Sequence, residues 1–192
     1  MGTEAAALGA EAVRLVLSAP REAQRLAVEA ARLAEVQRDS TAASTAQRAL
    51  GLVAMQLADF DHAARHLRRA IRLAGRDSEA AAQARMTLAY VLSRQGRTTQ
   101  ALEQIDRAAP VLRGRSAAWL ALHHGIILKG LGRWEEALSA YRRARQGFQR
   151  VGDRLGEARL YANRGVLHLY RGAYGAAESD LLRAEELFRE LG

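Results

Sequence analysis

The sequence predicts an all-α protein built from repeated helical hairpins. Small residues recur in phase at Gly51, Ala89, Gly125 and Gly165, with spacings of 38, 36 and 40 residues. Self-similarity at such a period is typical of stacked supersecondary units. The composition agrees, because hydrophobic residues reach 49% while aromatic residues contribute only 5%, and the chain has two prolines. Alanine-rich helices can pack closely, and few positions here would interrupt them.

Each hairpin carries the same landmarks, which are clearest between residues 125 and 144. Gly125 has no Cβ and lets the first helix approach the second. Gly132 is expected to end the first helix in the left-handed conformation. Tyr141 fills the space between small residues on one face of the second helix. The other hairpins place similar residues at these three positions: Gly165, Gly172 and Leu181; Ala89, Gly96 and Ile105; Gly51, Ala58 and Leu67.

The landmarks divide the chain into five hairpins, and therefore ten helices. Four repeats span residues 39–76, 77–113, 114–152 and 153–192, and residues 4–38 keep only the alanines of the second helix. We interpret this first pair as a degenerate N-terminal cap, since terminal repeats are usually atypical. Helix borders follow capping signals. The predicted N-caps are Ser40, Asp77 and Asp153, and the predicted stops are Gly75, Gly114 and Gly152.

These landmarks resemble the tetratricopeptide repeat, whose pattern combines a turn glycine with small, large and small residues on the second helix. The resemblance is good over about residues 40–192 and poor over 4–38. It implies one right-handed superhelical solenoid over residues 1–192, with a concave groove lined by the first helix of each hairpin. Proteins of this architecture bind partners far more often than they catalyse reactions.

Composition and charge limit the possible functions. The chain contains no cysteine, which excludes disulfides, a thiolate nucleophile and cysteine-ligated metals. No signal peptide or membrane-spanning stretch is recognisable, and we predict a cytoplasmic location. The net charge of +8 makes an acidic partner worth considering. Arginine supplies all but one of the basic residues, and together with the alanine excess this suggests a GC-rich bacterial genome. Such a genome would favour arginine codons in any case, so the positive charge is weaker evidence for an acidic partner.

Two segments narrow the resemblance, namely residues 63–74 and 163–172. They resemble the N-terminal repeat regions of actinobacterial proteins that carry a C-terminal CHAT domain, a caspase-like cysteine protease fold. The resemblance implies that this chain is the regulatory part, and the catalytic His and Cys cannot be carried over because cysteine is absent. Similar arrays also occur in bacterial transcription regulators and signalling ATPases. The last helix still carries apolar residues, and a repeat array normally ends in a polar capping helix, so we expect a fragment of a longer protein.

The repeat register also predicts which side chains line the groove. The set mixes apolar with basic residues, which suits an extended or amphipathic peptide bearing acidic groups. Several of these side chains could instead pack between neighbouring repeats. A carboxylate clamp is not expected, because apolar or aromatic residues occupy the positions where its asparagines would stand. The candidate groove residues are Arg48, Met55, Met86, Tyr90, Trp119, Ile126, Lys129, Arg159, Asn163 and Val166.

Three polar residues replace apolar ones at repeat positions, namely His124, Arg164 and His168. A buried arginine needs a partner, so we expect either an inter-repeat contact with an acid or a bound ligand. The acidic residues available for such a contact are Glu157, Glu178 and Asp180.

Other constellations are weaker. His62 and His66 have the spacing of a helical zinc pair but lack a third ligand, and a solvated face is the preferred interpretation. A stripe of Arg65, Arg68, Arg69, Arg72 and Arg76 could contact phosphates. No catalytic, cofactor or metal motif is recognised. The sequence therefore predicts a scaffold that binds a peptide or partner domain, with nucleic-acid contact through the stripe as the alternative.

Overall fold

The computed structural model describes residues 3–75 and 78–192 of the chain, and within these ranges it contains ten α-helices and no strand. Consecutive helices pack in pairs, which confirms the predicted all-α repeat of five hairpins. The helices are α1 (Glu4–Leu15), α2 (Pro20–Gln37), α3 (Ser40–Gln56), α4 (Phe60–Ala74), α5 (Glu79–Arg94), α6 (Thr98–Ala108), α7 (Gly114–Gly130), α8 (Trp134–Val151), α9 (Arg154–Tyr170) and α10 (Tyr174–Leu191).

The helices form two compact units. Unit 1 ends at Val111 and contains α1 to α6, and unit 2 runs from Leu112 to Gly192 and contains α7 to α10. In unit 1 the first helices of successive hairpins touch, α1 against α3 and α3 against α5. In unit 2 α7 touches α9 in the same way. Each unit therefore sets neighbouring first helices side by side, which is the arrangement that builds a groove.

The core of unit 1 is made of small side chains. Ala12, Ala27 and Ala49 form one fully buried cluster that joins α1, α2 and α3. Alanine gives little apolar area per residue, but it allows helix backbones to approach closely and costs little side-chain entropy. In unit 2 the core adds large side chains, and Tyr141 and Phe148 are completely buried.

The close approach expected at the small landmark is present. A Cβ added to Gly125 would overlap the ring of Tyr141, and one added to Gly51 would lie 2.7 Å from Cγ of Leu67. The first and second helices of a hairpin therefore fit together only because the landmark residue is small. In each case the large partner lies 16 residues further along the chain.

Several helix borders differ from the predictions. Asp39, not Ser40, caps α3, and its carboxylate accepts the Ala42 N–H at 2.9 Å. The predicted cap Asp77 lies outside the described residues, and Ser78 caps α5. Gly114 does not stop a helix but begins α7. The preceding helix α6 has already ended at Ala108, because Pro110 has no backbone N–H to continue the hydrogen bonds of the helix.

Candidate functional site

A strip of side chains along α7 and α9 begins at the cap of α9. The carboxylate of Asp153 accepts the Gly156 N–H at 3.0 Å, as the predicted cap should. Its second oxygen accepts Nε1–H of Trp119 at 2.8 Å and Nε–H of Arg115 at 2.6 Å. One buried carboxylate therefore fixes the start of α9 and the orientation of an indole on α7.

These contacts offset the effect of burial on the pKa of Asp153. Burial is the largest single influence on its pKa and acts to raise it. Hydrogen bonds from Arg115, the Gly156 amide and Trp119 together outweigh burial, so the pKa lies below its usual value. Asp153 therefore stays ionised at neutral pH and holds Trp119 in place.

Trp119 presents a flat aromatic surface beside a cation. The guanidinium carbon of Arg159 lies 5.6 Å from the centroid of the Trp119 ring, within range of a cation–π interaction. Phe148 also packs edge-on against the indole, with its centroid 5.3 Å from that of Trp119. The indole therefore contacts both a cation and a side chain of the core.

The strip continues to Lys129 and Asn163. Lys129 Nζ donates to Oδ1 of Asn163 at 3.4 Å, and Nδ2 of Asn163 donates to the carbonyl of Arg159 at 2.9 Å. Burial lowers the pKa of Lys129, and no carboxylate of the described residues pairs with it. We call Trp119, Ile126, Lys129, Arg159, Asn163 and Val166 the α7–α9 strip; all six side chains are half-buried.

Unit 1 holds the other four candidate groove residues. Met86 is buried, and Met55 and Tyr90 are half-buried, with the Tyr90 hydroxyl accepting from Arg94 at 3.3 Å. Arg48 is the unusual member. Its Nε is buried without a hydrogen-bond partner, and burial lowers its pKa to about 10. None of the ion pairs among the described residues includes this guanidinium.

Two of the three polar departures, Arg164 and His168, meet at one acid. Arg164 makes two hydrogen bonds of 2.6 Å to Asp180, which raise its pKa, and His168 lies 3.8 Å from the same carboxylate. Asp180 belongs to α10, the partner helix of the same hairpin, so this contact is within a repeat. His124 lies half-buried on α7, in the other hairpin of unit 2.

The two histidines of the possible zinc pair have other partners. His62 contacts Asp59 at 2.6 Å, and His66 Nδ1 contacts Oε1 of Gln47 at 2.9 Å. Across the described ranges no three His, Cys, Asp or Glu side chains group as a metal site. The described part of the chain also has no helix long and apolar enough to cross a membrane.

Sequence reasoning missed the connection between Asp153, Arg115 and Trp119. It identified Asp153 as a cap and Trp119 as a groove residue, but it did not join them. The signal was available in principle, because a cap residue with two carboxylate oxygens has one oxygen left over. Which side chain uses that oxygen depends on the packing of α7 against α9.

Comparisons with known proteins support a tetratricopeptide-repeat array. A family model described as the tetratricopeptide repeat matches residues 116–190. No curated protein matches the sequence. Solved structures resemble the chain in fold at low sequence identity.

Three of these structures illustrate the likeness. BtubC (BKLC) from P. vanneervenii has a TM-score of 0.71 at 16% identity, covering 99% of this chain and 93% of its own. YrrB, described as a tetratricopeptide-repeat protein with an unusual peptide-binding site, has a TM-score of 0.55 at 22% identity, covering 96% and 86%. PlcR of Bacillus thuringiensis, solved with the peptide PapR7 and DNA, has a TM-score of 0.75 at 14% identity, covering 97% and 70%. The chain therefore has an all-α helical-repeat fold.

Proposed function

We propose that the chain is a non-catalytic interaction scaffold whose groove-lining helices bind an acidic peptide segment or partner domain. The observation that carries this proposal is an unmatched cation among the predicted groove residues of each unit. Lys129 in unit 2 is paired only with the neutral amide of Asn163. Arg48 in unit 1 has a buried Nε without a partner.

Physical chemistry favours a carboxylate as the missing partner. Removing a cation from water costs free energy unless an opposite charge or hydrogen bonds compensate for it. A partner's Asp or Glu would restore that interaction at Lys129 or Arg48, and Trp119 would offer an aromatic surface to an adjacent apolar side chain. YrrB has an unusual peptide-binding site and PlcR was solved with the peptide PapR7, which supports a peptide as the kind of ligand.

The finer proposal concerns what the scaffold regulates. The resemblance of residues 63–74 and 163–172 supports a C-terminal CHAT-type cysteine protease in a cytoplasmic actinobacterial protein. The likeness to PlcR, solved with DNA, supports the alternative of a sensor region in a transcription regulator. Sequencing the coding region that follows Gly192 distinguishes them. A His and a Cys separated by tens of residues would support the protease, and a helix-turn-helix would support the regulator.

Trp119 provides a direct test of peptide binding. The chain has two tryptophans, so a Trp134→Phe background leaves Trp119 as the only indole. Short peptides with matched apolar residues and either Glu, Gln or Lys at the remaining positions are titrated while Trp119 fluorescence is followed. We expect the Glu series to bind and to change the emission, and we expect Lys129→Gln to weaken that binding by about tenfold.

A matched control uses an arginine on the second helix of a hairpin, away from the α7–α9 strip. Arg142 is exposed on α8, so Arg142→Gln removes the same charge without touching the strip. Its affinity for the Glu peptides should stay within about twofold of the parent, because exposed charges contribute little. Equal losses in the two variants, or equal binding of the Glu and Gln series, would contradict a specific carboxylate site.

A further inference from the structure

An arginine-rich cleft on the second helix of the second hairpin is not used by the groove. It has a volume of about 430 Å³ and lies between α4 and one side chain of α3. Its lining consists of Gln47, His62, Arg65, His66, Arg68, Arg69 and Arg72. Arg76, the fifth arginine of the predicted stripe, lies outside the described residues. The floor is ordered by the contact of 2.9 Å between His66 Nδ1 and Gln47 Oε1.

Most of the positive charge in this cleft is not neutralised. Arg65, Arg68 and Arg72 take part in none of the ion pairs among the described residues, and Arg69 reaches Glu35 of α2 at 3.1 Å, where both side chains are exposed. Three arginines elsewhere in unit 1 are neutralised locally. Arg14, Arg25 and Arg32 each pair with a glutamate three residues earlier.

The sequence of α4 explains this difference. After Asp61 the helix contains no acidic residue, and Asp61 itself accepts a hydrogen bond of 2.7 Å from Gln95. The arginines are spaced three and four residues apart, so like charges face one another on adjacent turns. Each such pair destabilises a helix by a few tenths of a kcal/mol. A bound anion would relieve this repulsion.

The chemistry and dimensions of the cleft indicate the kind of anion. Guanidinium groups match phosphate oxygens in a planar fork, and a phosphate carries more charge than a carboxylate. Arg65 and Arg72 are separated by about 10 Å along the helix axis, which a ligand with several linked phosphates would span. The lining offers no Trp, Tyr or Phe for nucleobase stacking. We therefore propose that this cleft binds a compact ligand carrying two or more phosphate groups.

Inorganic tripolyphosphate is the probe for this proposal. Its affinity for the full chain is measured by calorimetry at low ionic strength and again at rising salt. We expect binding that weakens with salt, and a loss of about a hundredfold or more in the variant Arg65→Gln/Arg68→Gln/Arg72→Gln. The control Arg14→Gln/Arg25→Gln/Arg32→Gln removes the same charge from the same unit at ion-paired positions. It should change the affinity by less than about threefold.

Two further probes separate the other occupants. Citrate tests whether carboxylates suffice, and a random-sequence DNA duplex tests a nucleic-acid backbone. Circular dichroism confirms that both triple variants are folded, which is expected because the cleft variant removes repulsion. Absence of tripolyphosphate binding, equal losses in the two triple variants, or equal binding of citrate would overturn the proposal. Tighter binding of the duplex than of tripolyphosphate, lost in the cleft variant, would assign the stripe to nucleic acid instead.

Discussion

Ala58 occupies a backbone conformation that other hairpins of this chain give to glycine. Its φ is +59°, and the equivalent turn residues Gly96, Gly132 and Gly172 have φ between +70° and +75°. A Cβ in this left-handed region clashes with the neighbouring backbone, and glycine avoids that cost. We therefore expect Ala58→Gly to raise the free energy of unfolding by about 0.5–1 kcal/mol, as measured by urea denaturation.

The reverse change in unit 2 is the control. Gly132→Ala places a Cβ at φ +71°, where no neighbouring atom would obstruct it, so only the backbone conformation is tested. It should lower the free energy of unfolding by about 1 kcal/mol. A destabilising Ala58→Gly together with a destabilising Gly132→Ala would refute the argument.

Single residues also show which site contacts the sequence could and could not predict. The need of Arg164 for an acidic partner followed from its placement at an apolar position, and Asp180 was among three possible partners. The choice of Asp180 depends on the rotation of α10 about its axis, which the landmarks do not specify. The lack of a hydrogen-bond partner at Arg48 Nε likewise depends on side chains from other helices and has no sequence signal.

At the scale of elements, each of the last four hairpins combines a small residue with a larger one 16 positions later. The four pairs are Gly51 with Leu67, Ala89 with Ile105, Gly125 with Tyr141, and Gly165 with Leu181. Ala89 and Ile105 are both buried, so that hairpin combines a Cβ with a partner smaller than Tyr141. A small residue on the first helix thus faces a larger one on the second helix at a fixed spacing. This regular spacing is why the periodicity of the sequence predicted the hairpins well.

The compensation between the volumes of the two residues can be tested by converting one pair into another. Gly125→Ala should destabilise the chain by about 1–3 kcal/mol, because its Cβ would overlap Tyr141. Tyr141→Ile alone should also destabilise, since it leaves unfilled space beside Gly125. The double variant reproduces the pair Ala89 and Ile105, and it should recover about 1–2 kcal/mol relative to the sum of the single effects.

Urea denaturation of the four proteins in this cycle measures the coupling. The hydroxyl of Tyr141 is buried without a hydrogen-bond partner, and burial raises its pKa. Removing this hydroxyl should therefore leave no other polar group without a hydrogen-bond partner. Additive effects of the two substitutions would show that the pair is not the unit of packing.

Helix ends were less predictable than helix pairs. The break after Ala108 was placed too late, because a glycine at 114 looked like a stop while Pro110 already acted as one. Similarly, both Asp39 and Ser40 are good cap residues, and the structure uses the one whose carboxylate also accepts the Thr3 hydroxyl at 3.0 Å. That second contact joins residues 36 positions apart and is set by tertiary packing.

For the whole molecule, charge links stability to pH. The net charge is +8 at neutral pH and rises further as carboxylates are protonated, which increases self-repulsion. The pKa values of Asp39 and Asp153, which cap helices in unit 1 and unit 2, are both lowered by the fold despite burial. Backbone and side-chain hydrogen bonds cause the shift at Asp39. At Asp153 burial opposes the shift, and hydrogen bonds from Arg115, Gly156 and Trp119 outweigh it.

The direction of these shifts fixes the expected pH profile. A carboxyl whose pKa is lower in the folded state binds fewer protons there than in the unfolded state. Its contribution is therefore complete above the unfolded pKa of about 4 and is lost as the pH falls through the lowered folded value. We expect thermal stability to be nearly constant from neutral pH to about pH 5 and to fall steeply below it.

Asp153→Asn tests the origin of that fall. An asparagine can still cap α9, but it loses the charged interaction with Arg115 and no longer titrates. Thermal melts at neutral pH should show that the free energy of unfolding falls by about 1–2 kcal/mol. This difference from the parent should narrow as the pH falls below about 4, because protonation removes the same charge from the parent. The pKa of Asp59, an exposed cap on α4, is also lowered by its hydrogen bond from the His62 amide, but solvent screens this contact, so Asp59→Asn should change the profile less than Asp153→Asn. A constant gap between Asp153→Asn and the parent at every pH would show that Asp153 stabilises the fold through its shape and not through its charge.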